Sequence, residues 1–181
     1  GAETHAYSII HTNDARAFIA SIFGEEMKFD VVVGNPPYQI EAEGNTRTMP
    51  IYQKFVESAI SLDPDYVLMI TPSRWFSGGL GLDDFRARML TDERLKILVD
   101  YPSASDVFPG VEIKGGVSYF LWEKSHQGET TVVCQADGAN GGSAASRRLS
   151  EFDVHVRHNR AVPILRKVLA RSEPSLAELV S

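Results

Sequence analysis

Short apolar runs and stretches of helical periodicity alternate along the first half of the chain. The apolar runs predict strands over Phe29 to Val33, Tyr66 to Ile70 and Leu95 to Val99. Apolar residues at helical spacing and turn residues at the ends predict helices from Ala15 to Phe23, over residues 51–61 and from Asp83 to about Leu90. Continuous apolar strands separated by helices are typical of a parallel sheet buried on both faces. The pattern therefore predicts an α/β fold.

The segments between and after these elements are predicted from their turn residues. Gln39 to Thr48 is polar and predicts a loop, and Tyr101 to Gly116 predicts a longer loop because it carries prolines and glycines. Val117 to Trp122 predicts a strand. Since no helix separates it from the strand before, we expect it to run antiparallel to that predecessor.

The composition shifts beyond Lys124, so we divide the chain into residues 1–124 and an extension, 125–181. Within the extension, Thr130 to Gln135 predicts a strand. Ala136 to Ser146 is rich in Gly, Ala and Ser and predicts a flexible loop. Helical patterns follow over Pro163 to Leu169 and Leu176 to Val180.

Composition and charge limit the classes of function. A chain of 181 residues with 43% hydrophobic residues suits one domain. Its apolar runs are far shorter than the ~20 residues of a membrane span, so we expect no membrane partner and a cytoplasmic protein, which agrees with the single cysteine, Cys134. The five histidines have no metal-ligand spacing, and no metal is expected.

The net charge of -6 is unfavourable for binding DNA unaided, because Lys and Arg supply most nonspecific affinity by neutralising phosphates. Either the basic, sequence-reading surface lies elsewhere in a longer parent chain, or nucleic acid is not the substrate. The composition leaves both alternatives open.

The tetrapeptide Asn35-Pro36-Pro37-Tyr38 directly follows the first predicted strand. Ligands of open α/β sheets bind beyond the carboxyl ends of the strands, so its position indicates a site. The two prolines restrict their own φ angles and those of the residues before them, which makes the segment rigid. They also lack N–H groups, so the segment offers mainly acceptors: backbone carbonyls and the Asn35 amide oxygen. Tyr38 adds a flat aromatic face.

Such a segment suits a planar heterocycle that bears an exocyclic amino group. Two oxygens accept its two N–H bonds while the ring stacks on Tyr38. Positive charge develops on the amine nitrogen as it attacks an alkylating agent, so preorganised carbonyl dipoles stabilise the transition state more than the ground state. An adenine inside duplex DNA must first be extruded to reach such a site.

These residues resemble a known family. Asn-Pro-Pro-Tyr at a strand end is similar to the fourth motif of the amino-group methyltransferases that use S-adenosylmethionine. Residues 51–57, 69–75 and 111–122 resemble later motifs of the Eco57I-like adenine-specific restriction-modification methylases. The resemblance covers Ile9 to Lys124. It implies adenine-N6 methylation of DNA and a partial Rossmann-like methyltransferase fold, a three-layer sandwich with a mostly parallel sheet and an antiparallel last strand.

The resemblance also implies roles for single residues. Asn35 and the Pro36 carbonyl would hold the target amine, with Pro37 completing the rigid turn and Tyr38 stacking on the base. Asp14 matches the place of an acidic residue near the adenine of the cofactor, but a helix-capping carboxylate explains it equally well.

Three further residues are candidates for substrate binding by the same resemblance. Tyr119 or Phe120 would supply a second aromatic face, and Arg74 would contact substrate or phosphate. Packing explains the two aromatic residues as well, and a solvated ion pair explains Arg74.

The family's glycine-rich first motif, which wraps the methionine part of the cofactor, does not precede Ile9. We therefore expect a fragment with an incomplete S-adenosylmethionine site that is inactive alone and meets double-stranded DNA through its full-length parent. The implied system adds a restriction subunit or nuclease domain as a partner, and residues 125–181 would lead to a DNA-recognition region. Two alternatives stay open: a protein-glutamine methyltransferase, which shares the tetrapeptide, and a noncatalytic scaffold or interaction module, which the acidic charge favours.

Overall fold

A computed structural model describes residues 8–9, 12, 14–24, 27–41, 48–136 and 142–171. The helices are α1 (Ala15–Phe23), α2 (Tyr52–Ser61), α3 (Asp83–Thr91) and α4 (Val162–Leu169). The strands are β1 (Val31–Gly34), β2 (Gln39–Glu41), β3 (Thr48–Pro50), β4 (Tyr66–Pro72), β5 (Leu95–Tyr101), β6 (Val117–Glu123), β7 (Thr130–Cys134) and β8 (Ser143–Arg147). Within these ranges no helix is long and apolar enough to cross a membrane.

Six of the strands form one mixed sheet in the order β1-β4-β6-β5-β7-β8. Strands β1, β4, β5 and β7 run in one direction, whereas β6 and β8 run opposite to their neighbours. The predicted α/β class, the mostly parallel sheet and the antiparallel strand after residue 116 are therefore confirmed. Strand β6 follows β5 in the chain, but in the sheet it lies between β4 and β5.

One face of this sheet carries the core. Met69, Phe120 and Leu98 lie opposite one another on β4, β6 and β5 and are buried. Val56 from α2 and Phe85 from α3 belong to the same hydrophobic cluster, so both helices cover this face. Side chains alternate across a strand, which is why every second residue of β4 points away from the cluster.

The opposite face is largely open. Val33 is 68% exposed and Leu68, its partner in the register, is 38% exposed. Leu121 and Ile97 continue this apolar row across β6 and β5 and are half-buried. The prediction of strands buried on both faces is thus wrong for β1 and β4. The second helical layer of a three-layer sandwich is not among the described residues.

Two predicted loops contain strands. The ends of Gln39 to Thr48 form the short antiparallel pair β2 and β3, with Ile40 opposite Met49, while residues 42–47 lie outside the described part. Strand β8 occupies 143–147, so the predicted flexible loop is wrong for residues 143–146. Three-residue strands are too short to show a period, and Ala and Ser carry little strand propensity, so only the pairing partner reveals them.

The remaining element predictions are confirmed within two residues, apart from the helix over Leu176 to Val180, which lies outside the described part. Strands β7 and β8 continue the sheet beyond β5, which attaches the extension directly to the first 124 residues.

The asymmetry of the two faces can be tested with neighbouring residues of β4. We expect Met69→Ala to lower the free energy of unfolding by about 2–5 kcal/mol, because it leaves a cavity in the core. The matched change Leu68→Ala should cost under about 1 kcal/mol, because that side chain is already partly in water. Urea unfolding of this chain measures both. Equal losses would show that the second face is covered as well as the first.

Candidate functional site

The carboxyl ends of β1, β4 and β5 meet at one edge of the sheet. Strand β1 ends at Gly34, which lies opposite Met69 of the parallel strand β4. Strand β6 begins at this edge, since Val117 is in register with Pro72 at the end of β4 and with Tyr101 at the end of β5. The loops that leave these strands therefore lie together.

The Asn35–Tyr38 loop leaves β1 at this edge. Pro36 is buried and anchors the loop, while Asn35 and Pro37 are exposed. The carbonyl of Tyr38 accepts a hydrogen bond of 3.2 Å from the backbone N–H of Ile51, just before α2. The loop is thus held at both ends, with the Asn35 side chain accessible to a ligand.

The Tyr38 side chain is half-buried, and its hydroxyl has no hydrogen-bond partner among the described residues. Burial raises the pKa of Tyr38. The phenol therefore stays protonated near neutral pH and is a potential donor to a bound ligand.

A cavity of about 360 Å³ adjoins the loop. Tyr38 and Arg74, two of the predicted site residues, both line it. The other residues that line it are Gln39, Thr48, Pro50, Tyr52, Pro72, Leu80, Glu112, Ile113 and Lys114. Its volume lies within the roughly 300–1,000 Å³ of small-molecule sites. Aromatic, cationic and acceptor groups thus converge on one concave space.

Tyr52 is the main wall residue that the sequence did not single out. It is almost fully buried at the start of α2, and its ring meets Phe85 edge to face, with ring centroids 6.1 Å apart. Burial raises its pKa, so it stays neutral. The resemblance of its segment, 51–57, to a family motif was the one sequence signal that could have pointed to a site residue here. A single tyrosine within a helical pattern is more typical of a core residue.

The loop before β6 supplies the opposite wall through Glu112, Ile113 and Lys114. Its segment, 111–122, also resembles a family motif, but within that motif the aromatic residues of the strand are the more obvious candidates for stacking on a base than the charged residues of the loop. Lys114 and Arg74 are exposed, and no carboxylate pairs with either among the residues that the structure describes.

The structure does not bring the other predicted residues to this cavity. Asn35, Pro36 and Pro37 lie in the same loop as Tyr38 but do not line the cavity. Phe120 is fully buried in the core. Tyr119 lies on the opposite face of β6, half-buried, with its ring centroid 6.1 Å from that of Tyr101. Asp14 is the N-cap of α1, where a side-chain oxygen accepts a hydrogen bond of 2.9 Å from the N–H of Ala17.

A second cavity of about 480 Å³ shares Arg74 and Lys114 with the first. Its far side is built by the extension, through His155 and Arg157. His155 is buried against Phe76, with ring centroids 4.3 Å apart, and its backbone N–H donates to the Phe76 carbonyl over 3.0 Å. The extension therefore packs against the loop that follows β4.

Fold and site together define a mixed α/β protein with an acceptor-rich loop at the carboxyl edge of its sheet. The family model of the Eco57I restriction-modification methylase matches residues 2–108, more than half of the chain. The chain belongs to the Eco57I restriction-modification methylase family, a family of methyltransferases. The resemblance inferred from Asn35–Tyr38 and the later segments is confirmed.

A curated relative, an uncharacterized adenine-specific methylase of Mycoplasma pneumoniae, is 36% identical over 137 residues. The match covers 72% of this chain and 32% of the relative, so the chain spans about a third of that protein's length.

Solved structures are more distant. A modification subunit of a putative type I restriction enzyme from Vibrio vulnificus is 13% identical, with a TM-score of 0.49 over 88% of this chain and 35% of that one. The type I methyltransferase subunit from Streptococcus thermophilus is 11% identical, with a TM-score of 0.45 over 84% and 34%. TM-scores this low support no further conclusion.

Substitutions of Asp14 can distinguish a role as a helix cap from a role in contacting a cofactor. We expect Asp14→Ala to lower the free energy of unfolding by about 1 kcal/mol, because α1 loses its N-cap acceptor. Asp14→Asn keeps an acceptor without the charge and should retain the stability of the unsubstituted chain. Urea unfolding measures both, and an equal loss in the two variants would contradict a simple cap.

The stability of the chain should depend on pH through His155. Burial, followed by the charges of Arg147 and Arg157, lowers the pKa of His155 from 6.5 to about 3. The unfolded chain binds this proton below about pH 6.5 whereas the folded chain does not, so the stabilisation is complete above pH 6.5 and is lost as the pH falls toward 3.

We expect this group to reduce the free energy of unfolding by about 2 kcal/mol between pH 7.5 and pH 5. The variant His155→Phe should remove that part of the pH dependence in urea unfolding. An unchanged pH dependence in the variant would show that His155 titrates normally.

Proposed function

We propose that this chain carries the target-base side of a DNA methyltransferase of a restriction-modification system. In this proposal a methyl group passes from S-adenosylmethionine to the N6 amino group of an extruded adenine. The supporting observation is the rigid, acceptor-rich loop of Asn35 and Pro36 beside a cavity that Tyr38 and Tyr52 line. Membership of the Eco57I family supports adenine as the target instead of a glutamine side chain.

The loop acts on the amine through hydrogen bonds. The Asn35 side-chain oxygen and the Pro36 carbonyl accept its two N–H bonds, which draws the hydrogens out of the ring plane and concentrates the lone pair on nitrogen. These oxygens also stabilise the positive charge that develops as the new C–N bond forms. The methyl group would leave its sulfur as a neutral thioether while the C–N bond forms. No strong base is required, because the methylated amine is then cationic and acidic enough to give a proton to water.

The aromatic and cationic residues act on the rest of the substrate. Stacking on Tyr38 offsets part of the base stacking that is lost when adenine leaves the duplex. In this proposal Arg74 and Lys114, which are exposed and line the cavity, contact the phosphates that flank the extruded base. Among the residues that line the cavity these two cations outnumber the one carboxylate, Glu112, in a chain whose net charge is -6.

S-adenosylmethionine supplies the methyl group when bound, but the described residues do not form a complete site for it. Asp14, the one predicted cofactor residue, is already engaged as a helix cap. The open sheet face with Val33 and Leu68 offers apolar surface for another part of the protein, and the chain spans only about a third of its relative. We therefore infer that the cofactor site, and most DNA-binding surface, are completed by parts of the full-length protein outside this chain.

The assignment can be tested on Asn35 in the full-length protein. Asn35→Ala should lower the rate of methyl transfer to duplex DNA by about 10²-fold or more, because a group that stabilises developing charge is lost. Asn35→Asp keeps an acceptor and should retain more activity than Asn35→Ala. Transfer of a radiolabelled methyl group from S-adenosylmethionine to DNA measures both.

Asp65→Ala, an exposed change at the opposite edge of the sheet, serves as the matched control and should leave the rate unchanged. Normal adenine methylation by Asn35→Ala would overturn the proposal. So would an unsubstituted protein that methylates a glutamine peptide and not DNA.

A further inference from the structure

We propose that Arg157, from the extension, is a positioning residue for the target-base cavity. It holds the loop over residues 110–116, whose Glu112, Ile113 and Lys114 form one wall of that cavity. This inference rests on the function proposed above, since it names a residue that acts on the same site from outside it. Arg157 does not line the first cavity.

The guanidinium of Arg157 bridges two elements. Its Nε lies 2.7 Å from Oδ2 of Asp100 in β5, and its Nη2 donates to the carbonyl of Gly115 over 2.5 Å and to Oδ1 of Asp100 over 3.3 Å. Ser73, at the end of β4, donates its hydroxyl to the same Oδ1 over 2.8 Å. The Arg157–Asp100 pair thus joins the end of β5 and the residue after β4 to the loop before β6.

Burial strengthens the ion pair between Arg157 and Asp100. Asp100 is fully buried and the Arg157 side chain is only 26% exposed. A buried carboxylate requires its partner, and a charge-assisted pair shielded from water is strong and directional. The guanidinium also lies over the ring of Phe76, 5.3 Å from its centroid, which fixes its plane further.

The loop is pressed closely against the strand ends that Arg157 holds. Ser73 donates its backbone N–H to Gly116 over 3.0 Å, and Gly116 donates to Ile113 over 2.9 Å. A Cβ at Gly116 would lie 2.2 Å from the Tyr101 carbonyl, so only glycine fits there. Gly115, the residue that Arg157 binds, directly follows Lys114. The position of the cavity wall therefore depends on the Arg157 contact.

The sheet itself does not depend on this contact. Val117 is already paired with Pro72 and Tyr101, and six further residues of β6 pair with β4. Loss of the Arg157 fork should loosen the loop and leave the strands in place. The expected defect is in holding the target base, with cofactor binding unchanged.

The test uses the full-length protein with Arg157→Lys, which keeps a charge for Asp100 but lacks the planar fork that reaches Gly115. We expect the KM for target DNA to rise about tenfold or more while kcat and the KM for S-adenosylmethionine change little. With 2-aminopurine in place of the target adenine, the fluorescence increase on binding should shrink. The double variant Asp100→Asn with Arg157→Gln removes both charges of the pair. It should also raise the KM for target DNA while kcat and the KM for S-adenosylmethionine change little. Arg160→Lys, an exposed change nearby, is the matched control.

Tryptic cleavage after Lys114, identified by mass spectrometry, reports on the loop independently of methylation and should accelerate in Arg157→Lys. Unchanged KM for DNA and unchanged cleavage in both variants would overturn the inference. A parallel loss of DNA and cofactor binding together with a lowered Tm would also overturn it, because that is the signature of a purely structural residue. An unsubstituted protein that fails to methylate adenine would instead refute the proposed function, whatever the cleavage result.

Discussion

Strand β6 is hydrogen-bonded along both edges, and the arrangement of the candidate site depends on that pairing. Because β6 runs opposite to β4 and β5, it begins where they end, with Val117 beside both Pro72 and Tyr101. The loop before β6 therefore lies at the carboxyl edge of the sheet, where the Asn35–Tyr38 loop also leaves β1. Residues 112–114 can face Tyr38 across a cavity only because the inserted strand is antiparallel.

The electrostatics of this edge differ from those of the chain as a whole. Asp100, which is fully buried there, forms an ion pair with Arg157 and accepts a hydrogen bond from the Ser73 hydroxyl. Arg74 and Lys114 remain exposed at the rim. A chain with a net charge of -6 therefore has two exposed cations, Arg74 and Lys114, beside one carboxylate, Glu112, in the lining of this cavity.

The extension is part of the architecture around the site. Strand β7 pairs with β5, and the segment after β8 brings His155 and Arg157 back to the loop that follows β4. The open face of the sheet is not covered by the described part of the extension. Its apolar row from Val33 through Leu68 is exposed to solvent in this chain.

The local features could be predicted from the sequence. Periodicity and turn residues predicted α1 to α3 and the principal strands, because these signals arise within a few neighbouring residues. Two prolines after a strand identified Asn35–Tyr38 as a rigid acceptor loop for the same reason. The folded structure was needed to show that Tyr52 and Lys114 share a cavity with Tyr38 and that Phe120 lies in the core. It was also needed to show that Arg157 reaches Asp100, 57 positions away in the chain. Such contacts depend on strand order and on which face a side chain takes, and neither leaves a local pattern in the chain.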